Sequence, residues 1–404
     1  MGPIVLFDKS FIEMLSLDEA SIFDSLYSSV ICPIFYTEVL ADLSKEPPGQ
    51  RSVGKIVADV ARKTPILHST PNVTHSTLCI AELLGTPVDM RGVPAIAGGR
   101  AVRRDDGKVG VVYEQSPEAK AFDRWQRQRF FELEGEFASR WREQLKAAQH
   151  ADMAKLAKAA LQISVSPKTL EEALAIAKEV VEGSGQRFRT LKTAYALLGL
   201  DPRRWSAVLS RWKSFGGPPL SRYAPYTAHC LLVDIFFYVA ADKRLISPDR
   251  PSNRIDMAYY YYLPFAMMFV SNDKLHKRTA PLFLNARQHF VAGDELKTDL
   301  QALDAYYSAL PEQKKAQGLF RIASKPPNDD AFLTTRIWKR FSMKVEQPAK
   351  PFDHNENRAA NDQILSEMNK MVDAAKTQQG AFNRSELMDP DSISIERMVP
   401  LQRG

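Results

Sequence analysis

Two short apolar runs, far apart in the chain, each end at a turn that carries a carboxylate. Ile4-Val5-Leu6-Phe7 is followed by Asp8, and Ala266-Met267-Met268-Phe269-Val270-Ser271 by Asn272-Asp273. Apolar runs of this length bounded by turns fit strands buried on both faces, the pattern of a parallel sheet covered by helices. Lys9-Ser10-Phe11-Ile12 then opens a helical pattern, so the first unit reads as strand, turn and helix with the acid at the turn. Open α/β sheets bind ligands beyond the carboxyl ends of their strands, where both acids fall.

Two further acidic positions belong to helical patterns that can lean over the same edge. Glu38 and Asp42 stand four apart in Thr37-Glu38-Val39-Leu40-Ala41-Asp42-Leu43 and share a helix face, where their repulsion calls for a nearby cation. Asp256 lies in Asn253-Arg254-Ile255-Asp256-Met257. The 17 residues from Asp256 to Asp273 accommodate a helix to about Leu263, a break at Pro264 and the second strand. Carboxylates gathered in this way suit Mg²⁺ or Mn²⁺, hard cations that prefer oxygen ligands and keep waters for substrate phosphates. One or two such ions generate a hydroxide and hold a phosphodiester in line for attack.

These residues resemble the PIN-like domain nucleases. The resemblance is carried by Phe7-Asp8-Lys9-Ser10, by the Glu38 helix with Leu40 and Leu43, by Asp256 in a helix, and by Ser271-Asn272-Asp273-Lys274-Leu275. It covers about residues 1 to 45 and 251 to 300. It implies that Asp8, Glu38, Asp256 and Asp273 hold the metal and activate water for RNA cleavage, with Asp42 auxiliary. Ser10 and Ser271 would then hydrogen-bond a ligand or a water. The implied fold is an α/β, three-layer parallel-sheet core over residues 1–68 and 245–344. The 218 positions from Glu38 to Asp256 place a large, mainly helical insertion at 69–244, and 345–404 becomes a linker, helix and tail.

A competing reading makes Asp8, Asp42 and Asp256 helix caps or first-turn acids, the usual work of carboxylates at such places. Glu38 resists it, because capping does not explain an acid in mid-helix. Two alternatives to the nuclease follow: a catalytically silent binding or assembly module that keeps the acidic pocket, and a helical scaffold in which the acids scatter.

Charge points to a polyanionic partner, which the resemblance implies is RNA, with single-stranded DNA as the alternative. The net charge is +6, and residues 186 to 226 alone hold eight basic residues against one acid, Asp201. Arg203, Arg204, Arg211 and Lys213 of that segment, with Lys274, Lys277 and Arg278 just after Asp273, are the candidate phosphate contacts. Trp205 and Trp212, seven apart, share a helix face and read as core. An inhibitory or regulatory protein partner is compatible with this family, and the oligomeric state is open. No run of eighteen apolar residues is present, and the amino terminus lacks a signal-like segment, so a cytoplasmic protein is expected. Cys32, Cys79 and Cys230 lack metal-site spacing and read as reduced core thiols.

Elsewhere, Pro47-Pro48-Gly49 stops the Glu38 helix, a helix runs from about Gln50 to Arg62, and Pro65-Ile66-Leu67-His68 is a candidate strand. Residues 70–116 are irregular apart from a short strand at Val109-Gly110-Val111-Val112-Tyr113. Helices are expected within 117–163 and over 168–182, 187–198 and 202–214, and an apolar buried helix over 230–241. A helix over 361–376 and a weak strand over 393–400 complete the reading.

Overall fold

The computed structural model describes residues 2–45, 52–66, 69–97, 99–103, 109–113, 117–147, 159, 163–345, 362–363, 365–370, 373 and 395–397. Among the described residues nine strands follow along the chain: β1 (Ile4–Phe7), β2 (Ser28–Ile31), β3 (Ser69–Pro71), β4 (Ala95–Ala97), β5 (Gly99–Arg103), β6 (Val109–Tyr113), β7 (Met268–Ser271), β8 (His289–Ala292) and β9 (Ile395–Arg397). Five of them form a sheet in the order β3-β2-β1-β7-β8. Every pairing in it is parallel, so the protein is α/β. β5 and β6 make an antiparallel hairpin, and β4 pairs antiparallel with β9.

The order has a consequence for the site. From β1 the chain adds β2 and β3 on one side, then returns to add β7 and β8 on the other, so its direction reverses between β1 and β7. Ligands of open α/β sheets bind in the crevice at such a switch point, outside the carboxyl ends. Asp8 leaves β1 there, and Asn272 and Asp273 leave β7.

Local sequence explains the elements that frame this edge. The central strands are short apolar runs, and the β7 residues are all buried. Leu17–Leu26 starts with a capping box in which Ser16 Oγ accepts from Glu19 N–H and Glu19 accepts from Ser16 N–H. Pro33 opens Pro33–Ala41 at a position where its missing N–H costs nothing. At the far side, Gly293 begins the helix Gly293–Ser308 so close to Asn272 that a Cβ there would lie 3.2 Å from Asn272 N.

Several expected elements are displaced. Pro65 and Ile66 are not in a strand, and Leu67 and His68 lie outside the described residues; the edge strand β3 is at Ser69–Pro71 instead. Ser69 is therefore the first sheet residue beyond the expected boundary at 68. The segment expected to be irregular holds Val53–Lys63's neighbour in sequence, the helix His75–Leu84, and the β5–β6 hairpin. After Asp256 the helix Ser252–Ala258 gives way to a 3₁₀ stretch, Tyr259–Phe265, which contains Pro264. Helices over Pro117–Gln126, Glu132–Ala147, Leu170–Glu182, Arg187–Leu197 and Trp205–Ser214 match the expected helical region. Within the expected helix at 361–376, residues 365–370 are helical.

The helical region shares one apolar core with the sheet. The long buried helix Pro225–Asp242 packs on Leu170–Glu182 and His75–Leu84 and also on the tyrosine run 259–262. All four of those tyrosines are buried, and each phenol has a polar partner: Glu38, Thr279, Asp234 and His75 N–H for Tyr259, Tyr260, Tyr261 and Tyr262 respectively. Buried phenols require such partners, so the run fixes four surrounding segments at once. Buried Glu82 accepts from Tyr226 N–H (3.0 Å) and Thr227 N–H (2.8 Å), covering the amino end of the long helix. The three cysteines are buried and unbridged. Among the described residues no helix is long and apolar enough to cross a membrane.

Candidate active site

Asp8 is the hub of the switch-point edge. It caps the helix Lys9–Met14 by accepting from Phe11 N–H at 3.1 Å. Ser10 Oγ donates to its carboxylate at 2.8 Å, and Ser271 Oγ donates at 2.7 Å. Both serines expected beside the acids thus reach the same one. Ser271 Oγ in turn accepts from Asp273 N–H (3.0 Å) and lies 2.8 Å from His276 Nδ1. Asp273 caps the next helix, Lys274–Phe283, by accepting from Leu275 N–H at 2.6 Å. Capping and convergence are therefore compatible: a cap after a parallel strand is placed at the sheet's ligand edge by construction.

His276 joins the two halves of the site, a role its sequence position did not indicate. The fully buried ring has Nδ1 3.3 Å from Asp8 Oδ2, and its Nε2 lies 2.8 Å from the backbone oxygen of Asp256. Both ring nitrogens face oxygen acceptors, the arrangement of an imidazolium. Burial works against the charge, but Asp8 and Asp256 outweigh it and hold the group up at about 9. The signal in the sequence was thin: His276 follows Ser271 and Asp273 by five and three residues, which puts it on the helix turn that faces the strand end.

Asp256 is interior to Ser252–Ala258 and is no cap. Its carboxyl is pushed up to about 7, first by burial, with Asp273 and Asp8 adding to the effect and His276 and Arg250 opposing it. One of its oxygens, Oδ2, is buried with no hydrogen-bond partner. Glu38, in mid-helix in Pro33–Ala41, is likewise pushed up to about 7 by burial, with Asp256 and Asp8 contributing; Tyr259 and Lys9 act against the rise. Tyr259 donates its phenol to Glu38, and it lies three residues beyond Asp256, so the phenol ties the two acid-bearing elements together. Asp8, Glu38, Asp256 and Asp273 are brought to one edge. Among the described residues no three His, Cys, Asp or Glu side chains already stand at spacing to enclose a metal ion. What fits a hard cation here is the donor chemistry: several oxygens, an orphaned buried carboxylate oxygen, and too few cations.

Asp42 departs from its expected auxiliary place. Only 1% exposed, it is held by Lys9, by Lys45 at 2.6 Å and by Arg142 at 3.3 Å. Three cations satisfy it as a structural anchor. The cation anticipated from the Glu38–Asp42 repulsion is Lys9, which also pairs with Glu13 at 3.2 Å.

The basic candidates divide by distance from chemistry. Arg250 Nη2 stands 3.6 Å from Asp273, and Lys274 is exposed at the start of the capped helix, so both flank the acids. Lys277 pairs with Asp294 at 3.1 Å, and Arg278 donates to Leu245 O at 3.3 Å. Arg203 is paired with Asp201, and Lys213 is exposed. Arg211 is committed to packing: it donates to Leu83 O at 3.2 Å and lies over the rings of Phe215 and Tyr223. Arg204 is half-buried just before Trp205–Ser214, the helix that packs against His75–Leu84. Trp212 is buried and donates to Pro218 O, as a core tryptophan should.

Comparison with protein-family models, with curated proteins and with solved structures finds no significant match.

Proposed function

We propose that the protein is a metal-dependent nuclease with a PIN-like core that hydrolyses phosphodiester bonds, with single-stranded RNA as the preferred substrate. What supports this reading is that Asp8 and Asp273, which follow β1 and β7, and Glu38 and Asp256, on two helices, lie near enough to the switch between β1 and β7 to influence one another's charge. A parallel sheet with acids at its carboxyl ends is what the resemblance to PIN-like domains implies. Asp8, Glu38, Asp256 and Asp273 are the residues that would hold Mg²⁺ or Mn²⁺. A bound ion would supply charge neutralisation of the phosphodiester and an acidified water as nucleophile.

The chain's own groups set up the rest. Ser10 and Ser271 fix the Asp8 carboxylate, and His276 locks Ser271 and the Asp256 backbone in place. Glu38, poised near neutrality, is suited to accept a proton from the attacking water. Arg250 and Lys274 give the phosphate backbone a positive approach.

One observation favours a second reading, the silent binding module. Asp8 is already saturated by two hydroxyls, an N–H and the His276 imidazolium, which supplies one positive charge without any ion. Incubating the purified protein with labelled single-stranded RNA and DNA, with Mg²⁺, Mn²⁺ or chelator, separates the two. The nuclease reading requires metal-dependent products that disappear in Asp8→Asn and Asp273→Asn variants. Binding of RNA without cleavage at any metal concentration would establish the module instead.

A further inference from the structure

At the opposite, amino-terminal edge of the sheet lies a cavity of about 590 Å³. It is bounded by the residues that lead into β7 and β8, by the loop Met90–Gly92, and by the end of the helix Leu333–Arg340. The volume is within the usual range for small-ligand sites. Its composition is two-sided. Met90, Met267 and Phe341 supply an apolar wall, and Arg91, Arg287 and Arg340 are exposed guanidinium groups on its lining. Arg91 is engaged by Asp89, with Nε 2.9 Å from Oδ1. Arg287 and Arg340 have no carboxylate partner among the described residues.

The walls are fixed before any ligand arrives. Gln288 donates to Leu263 O (2.6 Å) and Ala266 O (2.9 Å), and its side-chain oxygen accepts from Asn285 N–H. Asn285 in turn accepts from Arg287 N–H at 2.9 Å, so the loop that carries Arg287 is tied down at both ends. Gly92 N–H donates to Pro264 O at 2.8 Å, and Gly92 adopts φ +77°, a conformation that a side chain would strain. Met267 Sδ accepts from Ile4 N–H at 3.4 Å.

We propose that this cavity is a nucleotide site. Arg287 and Arg340 hold the phosphate, and the Phe341 ring with the Met90 and Met267 thioethers receives the base. Two unpaired guanidinium forks are the preferred partners of a phosphate dianion. Aromatic rings stack on any base, and methionine adapts to its outline. The site is separate from the acidic edge and does not depend on the reading given to it. The bound species is either a free nucleoside monophosphate or the phosphorylated end of a strand.

Titration calorimetry in chelator tests it, with AMP, GMP, CMP, UMP, pyrophosphate and a 5′-phosphorylated trinucleotide as probes. Wild-type protein should bind at least one nucleoside monophosphate at one site, tighter than pyrophosphate. The Arg287→Ala/Arg340→Ala double variant should lose at least tenfold in affinity, and the corresponding double lysine variant, which keeps charge but not the fork, should lose less. Asp8→Asn should bind as wild type does, which keeps this result distinct from the fate of the acidic site. A trinucleotide that binds tighter than its monophosphate identifies a strand end, and the reverse order a free nucleotide. The proposal is overturned by the absence of saturable binding of every nucleotide probe, by pyrophosphate binding as tightly as the best nucleotide, or by unchanged affinity in the folded double alanine variant.

Discussion

Glu38 and Asp42 are one helical turn apart, Asp42 buried and Glu38 partly so, and the protein treats them in opposite ways. Asp42 is met by Lys9, Lys45 and Arg142 and is left with its charge balanced. Glu38 is met by a phenol, with only the influence of Lys9 to set against Asp8 and Asp256. A folded chain that can recruit three cations to one carboxylate and none to bond its neighbour has left the neighbour's site short of positive charge. Undercompensated buried acids are functional candidates, whereas compensated ones are more often structural.

The sharpest way to break this contrast is to remove Asp42. Asp42→Ala leaves buried Lys9 with only the more exposed Glu13 as its ion-pair partner and should destabilise the protein by about 3–5 kcal/mol, read from denaturant unfolding, while the remaining folded fraction keeps its affinity for Mn²⁺. A loss below about 1 kcal/mol would mean that the three cations do not anchor the helix. The opposite pattern is expected for Asp256→Asn. It should leave stability equal to or above that of the wild type, because a buried acid that ionises reluctantly is replaced by a neutral amide, and lower metal-dependent cleavage by on the order of a hundredfold or more. Cleavage at wild-type rates would remove Asp256 from the site.

The pH dependence sharpens the same comparison. Glu38 and Asp256 rise from ordinary values of 4.5 and 3.8 to about 7, and His276 from 6.5 to about 9. Each binds its proton more tightly folded than unfolded. The acids' contribution is complete below their ordinary values and is lost as pH rises through about 7; that of His276 is complete below 6.5 and lost through about 9. In chelator, stability should therefore fall by several kcal/mol between pH 5 and pH 9, and Mn²⁺ should flatten the fall. Thermal melts that are flat in chelator across this range would contradict the charge deficit. The smallest expected effect is that of Ser271→Ala, which frees Asp8 and His276 from their shared hydroxyl. About a tenfold loss of cleavage with Asp8 still in place is expected, measured as initial rates on labelled RNA; an unchanged rate would make the serine a packing residue.

How much of this was readable from the chain differs between the two acids for a physical reason. β1, β7, the acids after them and the Glu38 helix were legible because short apolar runs and helical spacing are local properties. The three cations on Asp42 were not, since Arg142 comes from a helix a hundred residues away. His276 was hidden for a similar reason: nothing in its neighbours distinguishes it from Lys274, Lys277 and Arg278, and it is buried by tertiary packing, of Ser252–Ala258 onto its own helix and of Tyr259, Tyr260 and Phe269 against its ring. Arg211 looked like a phosphate ligand and is used for helix packing, because a guanidinium can serve either end and the sequence does not say which carbonyl it will meet. Strand β3 was misplaced by a few residues, as Pro65 and the apolar Ile66-Leu67 drew the reading away from the polar edge strand at Ser69–Pro71.

The central claim is that the switch-point acids, and not Asp42, take a divalent cation. Anomalous diffraction from crystals soaked in Mn²⁺ tests it most directly. The account requires a peak coordinated by side chains drawn from Asp8, Glu38, Asp256 and Asp273, abolished in Asp256→Asn crystals. A map with no manganese at that edge, or with manganese only beside Asp42, would contradict it.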